Sequence, residues 1–259
     1  MQDTIAIVTG AASGIGLATA EAFAVQGTHV ILMDRDGERL HDIAEKFGSS
    51  ATSICGDVSQ SADCRRAAAA TLEVGLPLSA LVNCAASFLA KGEAAEADDW
   101  DTSLGTNVKG TALMASASVP VMRQTGGGAI VNLASISGYI AQPNRWTYNA
   151  TKGAILALTR CQALDLASDG IRVNSVSPGT IWTPELDRMT GYARAEWEPL
   201  LGAQHMLNRV GEPAEVARAI TFLCGPSASF ITGTDLVVDG GYLAMGHDRD
   251  ETAIKYSSD

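Results

Sequence analysis

Short runs of β-branched residues alternate with longer, alanine-rich segments along most of this chain. The apolar run "TIAIVTG" at residues 4–10 is followed by an amphipathic stretch at 14–27, and the alternation continues to about residue 176. Strands that alternate with helices of this length imply a parallel sheet. The pattern therefore predicts an α/β fold, with a doubly wound parallel β-sheet flanked by helices on both faces.

The alternation resolves into seven strands and six regular helices without a linker or an internal repeat. We therefore predict a single domain over residues 1–245, followed by a polar tail at 246–259. The predicted strands are 4–10, 28–36, 51–55, 78–83, 129–133, 171–176 and 234–241, and the predicted helices are 14–27, 37–48, 60–73, 97–123, 147–167 and 212–225.

Charge and cysteine usage exclude several classes of function. The net charge is −11 and no basic stripe is visible, which disfavours nucleic acid or an anionic membrane surface as a partner. The five cysteines are scattered and form no CxxC or Cys/His cluster, so the sequence indicates neither a metal site nor a disulfide framework. No secretion signal and no run of about 18 apolar residues is present, so we expect a cytoplasmic protein.

A glycine-rich segment, "TGAASGIG" at residues 9–16, follows the first predicted strand and opens the first helix. Its glycines are Gly10, Gly14 and Gly16, in the spacing GxxxGxG. Glycines allow a tight turn and a close approach of backbone to a ligand, and the amide groups of a helix N-terminus attract anions. The segment, with Ser13 and Ile15 between the glycines, predicts a site for the diphosphate of a dinucleotide.

Carboxylates end the next two predicted strands. Asp34 lies 20 residues after Gly14, where a carboxylate accepts hydrogen bonds from ribose hydroxyls and repels a 2′-phosphate. That position favours NAD over NADP, although the guanidinium of Arg35 could bind a 2′-phosphate. Asp57 is placed to reach an adenine amino group, with the backbone of Val58 beside it.

Several motifs together are those of a known family. With "NCAA" at 83–86, Asn107, Ser135, Tyr148-x-x-x-Lys152, "NSVSPGT" at 174–180 and "TDLVVDGG" at 234–241, the chain resembles the short-chain dehydrogenase/reductase family from about residue 4 to 242. The resemblance implies a Rossmann-type NAD(P)-binding domain. One departure is Ala86, which replaces the glycine of the usual NNAG motif; because alanine is small, we expect cofactor binding to survive.

Tyr148 and Lys152 suit proton transfer to or from an alcohol. A free tyrosine has a pKa near 10, too high for a good base at neutral pH. A lysine four residues later shares its helical face, so we expect the Lys152 ammonium to lower the Tyr148 pKa. The resemblance implies that Ser135 hydrogen-bonds the substrate oxygen, that Lys152 also holds the nicotinamide ribose, and that Asn107 binds a water in a proton relay.

The resemblance also implies the residues that contact the cofactor. Pro178 and Gly179 end the sixth strand near the nicotinamide, and Ile181 and Thr183 flank its carboxamide. The full predicted set is Gly10, Ser13, Gly14, Ile15, Gly16, Asp34, Arg35, Asp57, Val58, Asn83, Ala85, Tyr148, Lys152, Pro178, Gly179, Ile181 and Thr183.

The irregular segment 181–211 is the expected substrate lid. Arg145, three residues before Tyr148, predicts a substrate carboxylate, as in family members that act on small hydroxy and keto acids. Trp182 and His205 are further candidate substrate contacts, and Arg188 and Arg209 are additional candidates for the carboxylate. A neutral polyol, sugar or cyclic alcohol, stacked on Trp146 and Trp182, is the alternative substrate.

A non-catalytic nucleotide sensor or structural subunit is the alternative of a different class. The set Asn107, Ser135, Tyr148 and Lys152 argues against it, because a pure binding protein has no need of Tyr148 beside Lys152. The family resemblance further implies a homotetramer, built through the helices near 97–123 and 147–167 and the last strand.

Overall fold

Seven parallel strands form the centre of the protein in a computed structural model that describes residues 2–246. The order across the sheet is β3-β2-β1-β4-β5-β6-β7, and every neighbouring pair is parallel. The predicted fold class is confirmed. The strands are β1 Ile5–Thr9, β2 His29–Asp34, β3 Ala51–Cys55, β4 Leu78–Asn83, β5 Gly128–Leu133, β6 Ile171–Pro178 and β7 Asp235–Val238.

Helices cover both faces of this sheet. The predicted helix at 97–123 is one continuous helical stretch, but a π-helical segment, Gly105–Gly110, interrupts its α-helical hydrogen bonding. The α-helices are α1 Gly14–Val25, α2 Gly37–Phe47, α3 Ser61–Val74, α4 Ala97–Leu104, α5 Thr111–Gln124, α6 Trp146–Leu166, α7 Pro184–Met189, α8 Arg194–Gly202 and α9 Pro213–Cys224.

The last strand is shorter than the predicted range 234–241. The carboxylate of Asp239 accepts hydrogen bonds from the backbone N–H groups of Gly241 at 2.8 Å and Leu243 at 2.7 Å. Gly240 and Gly241 have φ angles of 58° and 85°, in the left-handed region that glycine adopts without steric cost. The chain therefore turns away from the sheet directly after Val238.

Alternate residues of β1 supply the two halves of the core. Ala6 and Val8 pack in a cluster with side chains of α1, α2 and α9, whereas Ile5 and Ile7 pack with side chains of α3, α5 and α6. All five residues of β1 are buried, as expected for a central strand with helices on both faces.

The strand order places a cleft at one edge of the sheet. The chain builds β1, β2 and β3 towards one side and then returns to place β4 on the other side of β1. Loops that follow β1 and β4 therefore diverge, and ligands of such sheets bind in the crevice at this point.

Two further predictions concern membrane-spanning segments and the C-terminal tail. None of the helices described between residues 2 and 246 is long and apolar enough to cross a membrane. The predicted tail at 246–259 lies, apart from residue 246, outside the described residues.

Candidate active site

The glycine-rich loop after β1 is packed too closely for larger side chains. Gly10 and Gly14 have φ angles of 66° and 55°. A Cβ atom on Gly10 would lie 2.9 Å from the backbone of Ala85, and one on Gly16 would collide with the carbonyl oxygen of Gly10. Glycine is therefore required on steric grounds, and the loop lays backbone at the N-terminus of α1, as a diphosphate site needs.

A cavity of about 680 Å³ lies at the carboxyl ends of the strands. The loops after β1, β2, β3 and β4 form one wall and the first part of segment 181–211 forms another. Eleven of the predicted cofactor residues line it: Gly10, Ser13, Gly14, Ile15, Gly16, Asp34, Arg35, Asp57, Val58, Ala85 and Thr183. The donor set and the glycine packing fit a dinucleotide.

Asp34 is held in place by two backbone amides. Its Oδ2 accepts from the Ala12 N–H at 3.0 Å and its Oδ1 accepts from the Asp36 N–H at 3.1 Å. These bonds tie the end of β2 to the glycine-rich loop and point the carboxylate into the cavity wall. Arg35 and Arg39 line the same cavity, so positive charge is also present at this end.

Asn83 and the residues that end β6 do not line the cavity. The Asn83 Nδ2 donates to Asn132 Oδ1 at 2.9 Å, and Asn132 in turn donates to Thr159 on α6. This buried chain connects β4 and β5 to the helix that carries Tyr148. Pro178 ends β6, the Gly179 N–H donates to the Val238 carbonyl, and Ile181 forms a β-bridge with Gly211 at the base of the segment.

Tyr148, Lys152 and Ser135 come together beside the cavity, and all three are buried. The Lys152 Nζ lies 5.5 Å from the centre of the Tyr148 ring and donates to the Leu133 carbonyl at 2.7 Å. Ser135 follows β5, where its Oγ accepts from the Ser137 N–H at 3.1 Å. Hydrogen bonding to Ser135 acts to lower the Tyr148 pKa, which places the two hydroxyls together.

Burial dominates the pKa values of both groups on α6. It raises the pKa of Tyr148 to about 12, against smaller lowering effects of Ser135 and Arg145. It also lowers the pKa of Lys152 to about 8. The expectation that Lys152 lowers the Tyr148 pKa is wrong for the protein alone, because burial penalises phenolate and ammonium alike and Nζ bonds to Leu133 rather than to the phenol oxygen.

The Asn107 carboxamide is fully engaged with protein partners. Its Oδ1 accepts from the Ser87 N–H at 2.6 Å, and its Nδ2 donates to the Ser87 carbonyl at 3.0 Å and to Thr151 Oγ1 at 2.9 Å. Asn107 therefore fixes the loop after β4 against α6, one residue from Lys152. The water relay stays a prediction, and any water would have to share these partners or use the main-chain carbonyl.

The three substrate candidates outside the catalytic group have different surroundings. Arg145 is the half-buried residue before α6, and its charge acts to lower the Tyr148 pKa, so it lies near the phenol. Trp182 is buried and lines the 680 Å³ cavity, with the Arg194 guanidinium 4.9 Å from its ring centre.

His205 is not brought to Tyr148. It is 1% exposed and lines a second cavity of about 420 Å³, on the side of segment 181–211 that faces β7. Its Nε2 accepts from the Thr180 N–H at 3.2 Å, so Nδ1 carries the proton and donates to the Leu201 carbonyl at 3.0 Å. Both ring nitrogens thus bond backbone groups, at Thr180 and Leu201, and His205 does not line the 680 Å³ cavity.

Phe88 is a site residue that the sequence did not reveal. Its ring stacks on Tyr148 with centroids 5.9 Å apart and an interplanar angle of 23°, and it lines the cavity while half-exposed. The only available signal was its place shortly after the end of β4, where neighbouring loops carry cofactor residues.

The fold and the site together define a nucleotide-dependent oxidoreductase of the Rossmann type. A family model described as enoyl-(acyl carrier protein) reductase matches residues 10–243. The chain belongs to the short-chain dehydrogenase/reductase family, and family members bind nicotinamide cofactors.

Similar proteins of known reaction are dehydrogenases. The chain is 42% identical to a galactitol 2-dehydrogenase (L-tagatose-forming) from Cereibacter sphaeroides, over 92% of this chain and 94% of the relative. It is 37% identical to an NAD-dependent glycerol dehydrogenase from Listeria innocua (93% and 94%) and 36% identical to a 2-(R)-hydroxypropyl-CoM dehydrogenase from Xanthobacter autotrophicus (93% and 99%).

Proposed function

We propose that the protein is an NAD-dependent dehydrogenase that interconverts a secondary alcohol and a ketone. The observation that carries the proposal is the buried group of Tyr148, Lys152 and Ser135. This group lies beside a cavity that is lined by the glycine-rich loop and Asp34. Bound NAD supplies the hydride acceptor. Ser135 holds the substrate oxygen, and Tyr148 takes up its proton during oxidation and returns it during reduction.

NAD is proposed over NADP because the Asp34 carboxylate is anchored at the ribose end of the cavity. A second candidate, use of NADP, rests on Arg35 and Arg39, which line the same end of the cavity. Two guanidinium groups could bind a 2′-phosphate if the carboxylate were removed.

Replacement of Asp34 by alanine is expected to weaken NAD binding about tenfold, since charge-assisted hydrogen bonds to ribose are lost. NADP binding should weaken less or improve, because the repulsion of the 2′-phosphate is also lost. Titration of both dinucleotides measures the two dissociation constants. Asp34→Asn is the matched control, because it keeps an oxygen acceptor for the Ala12 N–H while removing the charge. An equal loss of affinity for both cofactors in Asp34→Ala would contradict selection by Asp34.

The proposed substrate is a small hydroxy or keto acid. One arginine supports this proposal: among the described residues, Arg145 has no carboxylate partner, and it lies near Tyr148. The second candidate is a neutral polyol or sugar. It is favoured by the named substrates of two relatives, galactitol and glycerol.

Arg145→Ala separates the two substrate classes. For a hydroxy acid we expect KM to rise about tenfold, because an ion pair with the substrate carboxylate is lost, while KM for polyols should not change. Steady-state kinetics with NAD and a panel of hydroxy acids and polyols measures both. Arg160→Ala, an exposed arginine on the same helix, is the control. Unchanged kinetics with every acid that is turned over would exclude the carboxylate role.

A homotetramer is also proposed. Large apolar side chains are exposed on two of the elements through which the family resemblance implies assembly, namely Leu164 on α6 and Val237 on β7. Contact between subunits would remove this surface from water.

A further inference from the structure

Three arginines lie in segment 181–211, and each forms an ion pair with a glutamate. Arg194 bonds Glu198 and Glu212 and lies over the Trp182 ring, so it holds α8 to the start of α9. Arg209 bonds Glu215 and lines the 420 Å³ cavity beside β7. Of the three, only Arg188 lines the 680 Å³ cavity in the described chain.

Arg188 shares this cavity with the N-terminus of α1. Ser13, Gly14 and Ile15 line it from the sheet side, and α7, which carries Arg188, lines it from the other side. The two sides meet at Thr183, since a Cβ atom on Gly14 would lie 3.4 Å from the Thr183 methyl group. Arg188 is therefore on the wall that faces the predicted diphosphate site.

The partner of Arg188 in the protein alone is exposed. Its Nη2 donates to Glu185 Oε1 at 2.6 Å and its Nε donates to Oε2 at 3.3 Å, one turn earlier on α7, and the two side chains are 63% and 32% exposed. Ion pairs this exposed contribute little, because water screens them and two flexible side chains must be ordered. A phosphate can therefore displace Glu185, as arginine binds phosphate oxygens with two parallel charge-assisted bonds.

The charged groups that line the cavity are net negative, so an anionic diphosphate needs every cation among them. Four carboxylates line it, those of Asp34, Asp57, Glu185 and Asp187, against three guanidinium groups. Arg35 directly follows β2 and Arg39 lies in the first turn of α2, so Arg188 is the cation that segment 181–211 adds to balance a diphosphate.

We infer that Arg188 is a cofactor-contacting residue whose guanidinium exchanges Glu185 for the diphosphate of the bound dinucleotide and so holds α7 over the cavity. The inference rests on the proposed function, because it requires that a nicotinamide dinucleotide binds in this cavity. It extends the cofactor contacts of segment 181–211, predicted so far for Ile181 and Thr183, to α7.

The test is a calorimetric titration of the purified protein with NAD, ADP and adenosine. Arg188→Gln should weaken ADP and NAD binding about tenfold, the loss of a charge-assisted contact, and leave adenosine binding unchanged. Glutamine keeps the helix propensity of α7. Arg209→Gln is the matched control: it removes an arginine of the same segment with the same kind of ion pair but in the other cavity, so ADP affinity should stay at the parent value.

The same titrations in a Glu185→Gln protein distinguish a direct contact of Arg188 with the diphosphate from simple neutralisation of Glu185. If Arg188 contacts the diphosphate, Arg188→Gln weakens ADP binding in the Glu185→Gln protein as well. Disappearance of the effect in that background, an equal effect on adenosine, or no effect at all would overturn the inference. In each of these cases the parent still binds NAD, so the proposed function stands; a parent that binds neither NAD nor ADP overturns both.

Discussion

Tyr148→Phe is expected to lower kcat about a thousandfold while the protein keeps its fold and its affinity for the cofactor. The substitution removes the hydroxyl that transfers the proton, and general acid–base groups contribute on the order of 10²–10⁴ to the rate. Phenylalanine retains the ring that stacks on Phe88 and lies under the Lys152 ammonium.

Stability should change little in this variant. Burial holds the pKa of Tyr148 at about 12, so the side chain is neutral at pH 7 in the folded and the unfolded chain, and its charge makes no contribution there. Loss of the interaction between the Tyr148 hydroxyl and Ser135 should cost about 1 kcal/mol.

The measurement is the rate of nicotinamide reduction with a substrate from the hydroxy-acid and polyol panel, together with a titration of NAD. Tyr139→Phe is the control: this tyrosine follows Ser135 by four residues, and its hydroxyl donates to Asp235 at 2.9 Å outside the cavity. The control should retain activity. A Tyr148→Phe protein as fast as the parent would exclude the proposed acid–base role and would reopen the non-catalytic alternative.

Lys152→Met is expected to abolish most activity and at the same time to stabilise the fold at neutral pH. Burial lowers the pKa of Lys152 from 10.5 to about 8, a difference that corresponds to a penalty of about 3 kcal/mol for the protonated side chain. Methionine removes the penalty but leaves the Leu133 carbonyl without its donor, which costs about 1 kcal/mol. We therefore expect a net gain of about 2 kcal/mol at pH 7.

The direction of the pH dependence follows from proton binding. Between pH 8 and 10.5 the unfolded chain holds the Lys152 proton more tightly than the folded one, so in the parent this group makes the free energy of unfolding rise with pH. Below pH 8 the folded protein carries the full free-energy penalty of the buried, protonated Lys152. The advantage of Lys152→Met should therefore shrink as the pH approaches 10.5.

Urea unfolding of parent and variant at pH 7 and pH 10 measures this difference. Lys46→Met, at an exposed position on α2, is the control and should show no gain that depends on pH. A Lys152→Met protein that is less stable than the parent at pH 7, or whose stability difference is the same at both pH values, would contradict a buried, destabilising ammonium.

The parts of the fold with strong local patterns were predictable. The strand at β1 could be read from an apolar run because a central strand buries all its side chains, and all five of its residues are buried. The glycine-rich loop was equally recognisable, since Gly10 and Gly14 have positive φ angles and a Cβ atom on Gly16 would collide with the Gly10 carbonyl oxygen. Tyr148 and Lys152 were paired by the helical period, and the structure places them 5.5 Å apart, from ring centre to Nζ.

Other features depend on partners far away in the chain. The π-helical segment at Gly105–Gly110 holds Asn107 against Ser87 and Thr151. The hydrophobic pattern near residue 107 does not predict those contacts. His205 was predicted to contact the substrate, but its ring nitrogens form hydrogen bonds with backbone groups of Thr180 and Leu201, on the side of segment 181–211 that faces β7. Phe88 became a site residue only because the loop after β4 folds back onto α6.

The amino-acid sequence by itself determined the order of strands and helices along the chain, the glycine-rich turn and the candidate catalytic residues. These follow from side-chain volume, backbone freedom and helical spacing, which act over a few residues. Tertiary structure alone decided the pKa values of Tyr148 and Lys152. It also decided which residues of segment 181–211 line each of the two cavities. A pKa depends on how much water the rest of the fold removes from Tyr148 and Lys152, and the cavity that Arg188 or His205 faces depends on how the segment packs against the sheet.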